Sequence, residues 1–148
     1  MIAAALIERY DDRLLIATTD SADVVPRVWL FPRGTVKPDE FAEAALRRVV
    51  LEELGASIEI VVGEPPVLCP IDGVETEVRY FFCGLSAGEP KPGPYAAIEW
   101  VHPSKLGDYT FDGPSQPVAD WLREQAGIPL RPNPAPSKPV KGRPLDLG

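Results

Sequence analysis

A chain of 148 residues has room for one domain and can bury a core without disulfide or metal staples. Its 45% hydrophobic and 25% charged residues are those of an ordinary globular protein, and no apolar run approaches the roughly 18 residues a spanning helix needs. The net charge of −7 argues against nucleic acid or an anionic membrane as the main partner. A phosphorylated small molecule stays open, because divalent cations can offset its charge locally. The first residues, MIAAALIERYDD, carry an apolar run with no basic leader, so a first strand is expected rather than a signal peptide. Cys69 and Cys83 fit no metal-ligand or redox spacing, and two free thiols in a reduced cytoplasm are expected.

Strands are expected at 3–7 and 14–19, with Asp11 and Asp12 turning between them. Residues 21–27 read as a loop, 28–31 as a short buried strand ending at Pro32, and 34–39 as another loop. From 40 to 54 the run has no Gly or Pro and many good helix formers, with Gly55 placed to stop it. Further strands are expected at 57–62, 67–71 and 74–85, the last two joined by the hairpin signal Asp72-Gly73. A Pro/Gly-rich loop at 88–94 leads to a strand at 98–101, a helical turn at 103–106 and a final helix at 115–126. His102, the sole histidine, precedes Pro103 in a turn-like stretch and is expected to be structural or solvated.

Residues 128–148 differ in kind, with six prolines and a charge of +3, so the preceding 127 residues carry −10. Such a stretch cannot build a core and favours extended conformations. It is expected to be a flexible tail beyond a domain at 1–127, or an arm docking on that acidic domain or on a neighbour.

The chemistry concentrates in the loop and helix of residues 34–56. At about 100° per residue, positions 49, 52 and 53 share roughly one 100° sector, with Val49 between Glu52 and Glu53. Phe41, Ala42, Ala45, Leu46, Val50 and Leu54 make much of the helix apolar and therefore covered. Two carboxylates beside covered surface are costly unless something offsets their charge. Bound magnesium or manganese, which take oxygen ligands, is one answer. The other is an exposed helix edge where Arg48 pairs with Glu52 and Glu53 meets water.

This segment resembles the signature of the Nudix hydrolase family, G-x5-E-x7-R-E-U-x-E-E-x-G-U with U bulky and apolar. Gly34, Glu40, Arg48, Val50, Glu52, Glu53 and Gly55 match at the right spacing. Ala56 departs mildly at the final apolar position, and Val49 stands where the pattern has a glutamate. The run WLFPRG resembles the family's entry into the motif, and IEWVHPSKLGDYTFDGPSQPVADWL its MutT-like ending. The arginine in FPRG resembles the lysine of the diadenosine polyphosphate and diphosphoinositol branches.

The resemblance implies an α/β fold, an α/β/α sandwich with a mixed curved sheet. It implies a Mg²⁺- or Mn²⁺-dependent hydrolase that cleaves a nucleoside diphosphate linked to another moiety, with a nucleotide-type substrate and a homodimer left open. Glu52, Glu53 and the Arg33 carbonyl would hold metal, Arg48 would orient the glutamates, and Gly34, Glu40 and Gly55 would shape loop and helix. Val49 can neither bind metal nor act as a base, so Glu75, Glu77 or Glu99 would have to substitute, or activity would be low. Phe31 and the segment 112–116, including Ser115, fall where some relatives hold a nucleobase. The alternative is a degenerate domain that senses a nucleotide or binds a protein partner without useful turnover.

Overall fold

The structure is a computed structural model that describes residues 1–126, so the expected tail lies outside the described residues. In chain order its elements begin with β1 (Ile2–Glu8), β2 (Leu14–Thr18), β3 (Val28–Trp29), β4 (Arg33–Thr35) and α1 (Ala42–Leu54). They continue with β5 (Ser57–Gly63), β6 (Val67–Ile71), β7 (Val74–Ala87) and β8 (Ala97–Val101). A 3-10 helix (Pro103–Asp108), β9 (Thr110–Phe111) and α2 (Gln116–Ala126) complete the set.

Every residue from 3 to 7 of β1 is buried, which requires a packed layer on each side of the sheet. Alternation supplies it. Ala4 and Leu6 enter a cluster with Leu106, Ala119 and Leu122, from the 3-10 helix and α2. Ala3, Ala5 and Ile7 enter a second cluster with Leu46, Val50 and Leu54 of α1. The main sheet runs β5-β7-β1-β2-β8, with β4 added to β1 and β6 to β7. The β1–β7 pair is parallel and the other pairs of this sheet are antiparallel, so the sheet is mixed and open, as expected.

The expected loop at 34–39 begins instead with β4, which pairs Ala4 with Arg33 and Ile2 with Thr35. Strand β9, paired in parallel with β3, also stands where no strand was expected. The helix starts at Ala42 rather than 40, because Glu40 closes a turn onto the Lys37 carbonyl. Its stop is the expected one: Gly55 adopts φ 69°, a left-handed cap, and its N–H bonds the Leu51 carbonyl. Asp72 and Gly73 both have positive φ and make the tight turn of the β6–β7 hairpin.

Candidate functional site

Strand β4 sits against α1 with little between them. A Cβ added to Gly34 would lie 2.4 Å from Val49 Cγ2, so only glycine allows this approach. Val49 itself is 6% exposed and fills the contact.

The hydrogen bonds Ala5 N–H to Pro32 O and Val36 N–H to Met1 O bracket the β1–β4 ladder. In an antiparallel pair the bonded positions alternate, so Arg33 and Thr35 occupy non-bonded positions. Their N–H and C=O groups point away from β1. Thr35 O uses this freedom to accept from Arg48 Nη2 at 3.2 Å.

Arg48 ties the loop to the helix through a bidentate contact with Glu40, Nε to Oε2 at 2.8 Å and Nη2 to Oε1 at 2.9 Å. Glu40 also accepts from the Lys37 backbone N–H at 3.1 Å. The Arg48 guanidinium first, and the Lys37 N–H second, hold the Glu40 carboxyl down at about 2. Arg48 reaches Glu52 at 3.5 Å, a loose contact to a side chain that is 62% exposed. Glu52 is therefore largely open to water or a ligand.

Glu53, half-buried on the next step of the helix, meets Tyr95. Tyr95 stands close enough to Glu53 and to the Arg33 peptide to feel both electrostatically. Burial, and then the Glu53 charge, push this phenol up to about 12. Nothing in the local sequence pattern around 95 pointed to this residue.

The Arg33 side chain leaves on the opposite face of the sheet, the side of Ala4. There Nη1 lies 2.8 Å from Asp112 Oδ2, an ion pair without hydrogen-bond alignment. Close by, Tyr80 donates to the Pro114 carbonyl at 2.9 Å, and Ser115 Oγ sits beside the Tyr80 hydroxyl without an aligned bond of its own.

The remaining expected residues scatter. Phe31, expected at a substrate surface, is fully buried and stacked on Phe111 at 5.2 Å, because it completes the core between β4 and β9. Ser115 is buried too, at the start of α2. Glu99 accepts from Tyr109 Oη at 2.6 Å, on the face of β8 opposite Ile98 and Trp100, which pack toward α1. Glu75 and Glu77 are exposed near the β6–β7 turn, Glu75 within electrostatic reach of Cys69. Among the described residues, no three His, Cys, Asp or Glu side chains converge as a metal cluster. His102 caps the 3-10 helix, accepting from Ser104 N at 3.2 Å, which is a structural role.

The donors that α1 and β4 carry on this side are all oxygens: the Glu52 and Glu53 carboxylates and the off-ladder Arg33 carbonyl. That set fits magnesium or manganese, which are held by one or two carboxylates with waters and substrate phosphates completing the shell. The model of the NUDIX domain matches residues 1–122, and the chain belongs to the Nudix hydrolase family. Over 63 residues it is 43% identical to the CTP pyrophosphohydrolase of Escherichia coli (strain K12), covering 43% of this chain and 44% of that protein. The match thus spans less than half of that relative. In fold it is similar to the MutT protein from Methanosarcina mazei Go1, with a TM-score of 0.70, 19% identity, and 86% and 94% of the two chains covered. It is also similar to a C. elegans Ap4A hydrolase, with a TM-score of 0.65, 18% identity, and 84% and 93% covered.

Proposed function

We propose that the chain is a Mg²⁺- or Mn²⁺-dependent pyrophosphohydrolase that cleaves a nucleoside diphosphate linked to another moiety. The observation that carries this reading is the seam where Gly34 of β4 meets Val49 of α1 and Arg48 binds Glu40 and the Thr35 carbonyl, with Glu52 and Glu53 on the same helix. Glu52, Glu53 and the Arg33 carbonyl would hold the metal. Once bound, the cation would neutralise phosphate charge and lower the barrier to attack by water, chemistry that is mostly positioning and electrostatics. Arg48 would keep loop and helix in register by gripping Glu40 and the Thr35 carbonyl.

Proton removal is the weak step. Val49 stands where the family pattern has a glutamate, and a general base contributes about 10²–10⁴-fold. Turnover is therefore expected to be slow, with Glu75, Glu77 or Glu99 reaching the site only if the strands that carry them shift. For the nucleobase, the partly exposed Arg33–Asp112 pair offers a donor and an acceptor on the far face of β4. A nucleoside triphosphate is the first substrate to test, CTP foremost given the relative named above. Dinucleoside polyphosphates and nucleotide sugars follow. The domain would occupy 1–127, in a reducing cytoplasm that suits the unpaired Cys69 and Cys83. The acidic chain would engage neither nucleic acid nor membrane, and it could pair with a second copy.

A metal that binds the folded state alone raises the melting temperature by mass action. Manganese should do so for the wild type and fail to do so for Glu52→Gln/Glu53→Gln. An undiminished shift in the double variant would move the metal elsewhere.

A further inference from the structure

Strand register lines up two rows of residues on the face of the sheet that α2 covers. In one, Leu6 of β1, Phe82 of β7 and Val62 of β5 stand side by side. In the next, Glu8 of β1 and Glu59 of β5 flank Gly84 of β7. Leu6 and Phe82 pack into the cluster beneath α2, and alternation puts Glu8 and Gly84 on that same face. The helix advances along β7: Tyr80 donates to the Pro114 carbonyl just ahead of α2, and Trp121 meets Phe82 with ring centroids 6.3 Å apart. At the Gly84 row the cover stops. A Cβ built on Gly84 would meet nothing within 4 Å among the described residues, Val62 is 48% exposed, and Glu8 and Glu59 face solvent. The opposite face is closed at the same level, with Phe81 and Cys83 buried against the cluster of α1. A glycine floor, an aromatic rim and two flanking carboxylates thus make a trough with room for one more layer of chain.

We propose that residues 128–131 of this same chain fill the trough, with Ile128 and Leu130 against Phe82, Val62 and Trp121, and Arg131 paired with Glu59. Three observations choose this occupant. First, α2 reaches Ala126, about 7.5 Å of helix beyond Trp121. That matches the two-residue step of about 6.6 Å from the Phe82 row to the Gly84 row, so the chain leaves the helix beside the trough. The five residues 127–131 span up to about 17 Å, and the Glu8–Gly84–Glu59 row is two strand spacings wide, about 10 Å. Second, the charges are complementary, +3 for 128–148 against −10 for the preceding residues. Third, Pro129, Pro132 and Pro134 fix φ along this stretch, so laying it on an aromatic surface costs less entropy than for an ordinary chain.

NMR of the full chain, with variants placed only in 128–131 and at Glu59, tests the proposal. Ile128→Ser/Leu130→Ser should move the amide signals of Val62, Phe82 and Gly84 and the Trp121 indole signal, and leave β8 unchanged. Arg131→Glu should shift the Gly84 amide, and adding Glu59→Arg should return it toward its wild-type position. The Arg131→Glu shift should shrink at high salt, as expected of a screened pair. Unmoved signals at Val62, Gly84 and Trp121 would overturn the proposal, as would shifts confined to other elements. Shifts that grow with protein concentration would seat the segment on a second copy and overturn it too. An Arg131→Glu shift that Glu59→Arg fails to reverse would overturn the pairing that anchors the segment.

Discussion

Val49 is a packing residue. Its methyls meet Gly34 at the closest approach of strand and helix, and the side chain is 6% exposed. A carboxylate there would be largely withdrawn from water and beside two others, which is unfavourable without a cation and favourable with one. Val49→Glu should therefore lower the melting temperature in chelator and raise Mn²⁺-dependent hydrolysis about tenfold or more, the low edge of what a general base supplies. Paired unfolding and rate measurements check both halves. Hydrolysis no faster than wild type would mean that another carboxylate already takes the proton. Arg33 is the complementary case, one residue serving two faces. Its peptide turns toward Tyr95 and Glu53, while its guanidinium pairs with Asp112 through the sheet.

The end of α1 separates two roles for glycine. Gly55 is there for its left-handed φ, with nothing within 4 Å of an added Cβ, so Gly55→Ala should cost about 1–2 kcal/mol and leave Mn²⁺ affinity intact. Gly93 combines positive φ with a backbone clash against Glu53. Gly93→Ala should cost more than Gly55→Ala and also weaken Mn²⁺ binding, because a Cβ there would push against the backbone of Glu53. Denaturant unfolding with a Mn²⁺ titration of both variants tests this, and equal affinities would detach the loop from the site. What local chemistry specifies was readable in advance: α1 and its glycine stop, the Asp72-Gly73 turn, and the Glu40–Arg48–Glu52 spacing. Strands β4 and β9 were not, since two or three residues carry no period. Nor was Tyr95, because its contact with Glu53 joins segments roughly 40 residues apart across a loop that reads only as a chain breaker. The burial of Phe31 was likewise undecidable from an apolar run that fits core and ligand surface equally well.

At the scale of the whole molecule, the two-sided sheet explains why the site lies where it does. Both faces of the central strands are covered by helices, and the outer side of β4 brings off-ladder backbone groups beside α1. The resemblance in residues 34–56 supplied the fold and the class of chemistry. The structure supplied the close approach of β4 to α1 at Gly34 and Val49, and among the described residues no three His, Cys, Asp or Glu side chains converge there. The central claim is that this seam hydrolyses a phosphoric anhydride with metal. Its most direct test is phosphorus NMR of CTP, a dinucleoside polyphosphate and a nucleotide sugar incubated with Mn²⁺ and either wild-type chain or Glu52→Gln/Glu53→Gln. The account predicts slow, metal-dependent release of a nucleoside monophosphate from at least one substrate by the wild type, and background rates from the double variant. No release from any substrate, or equal rates from both proteins, would contradict it.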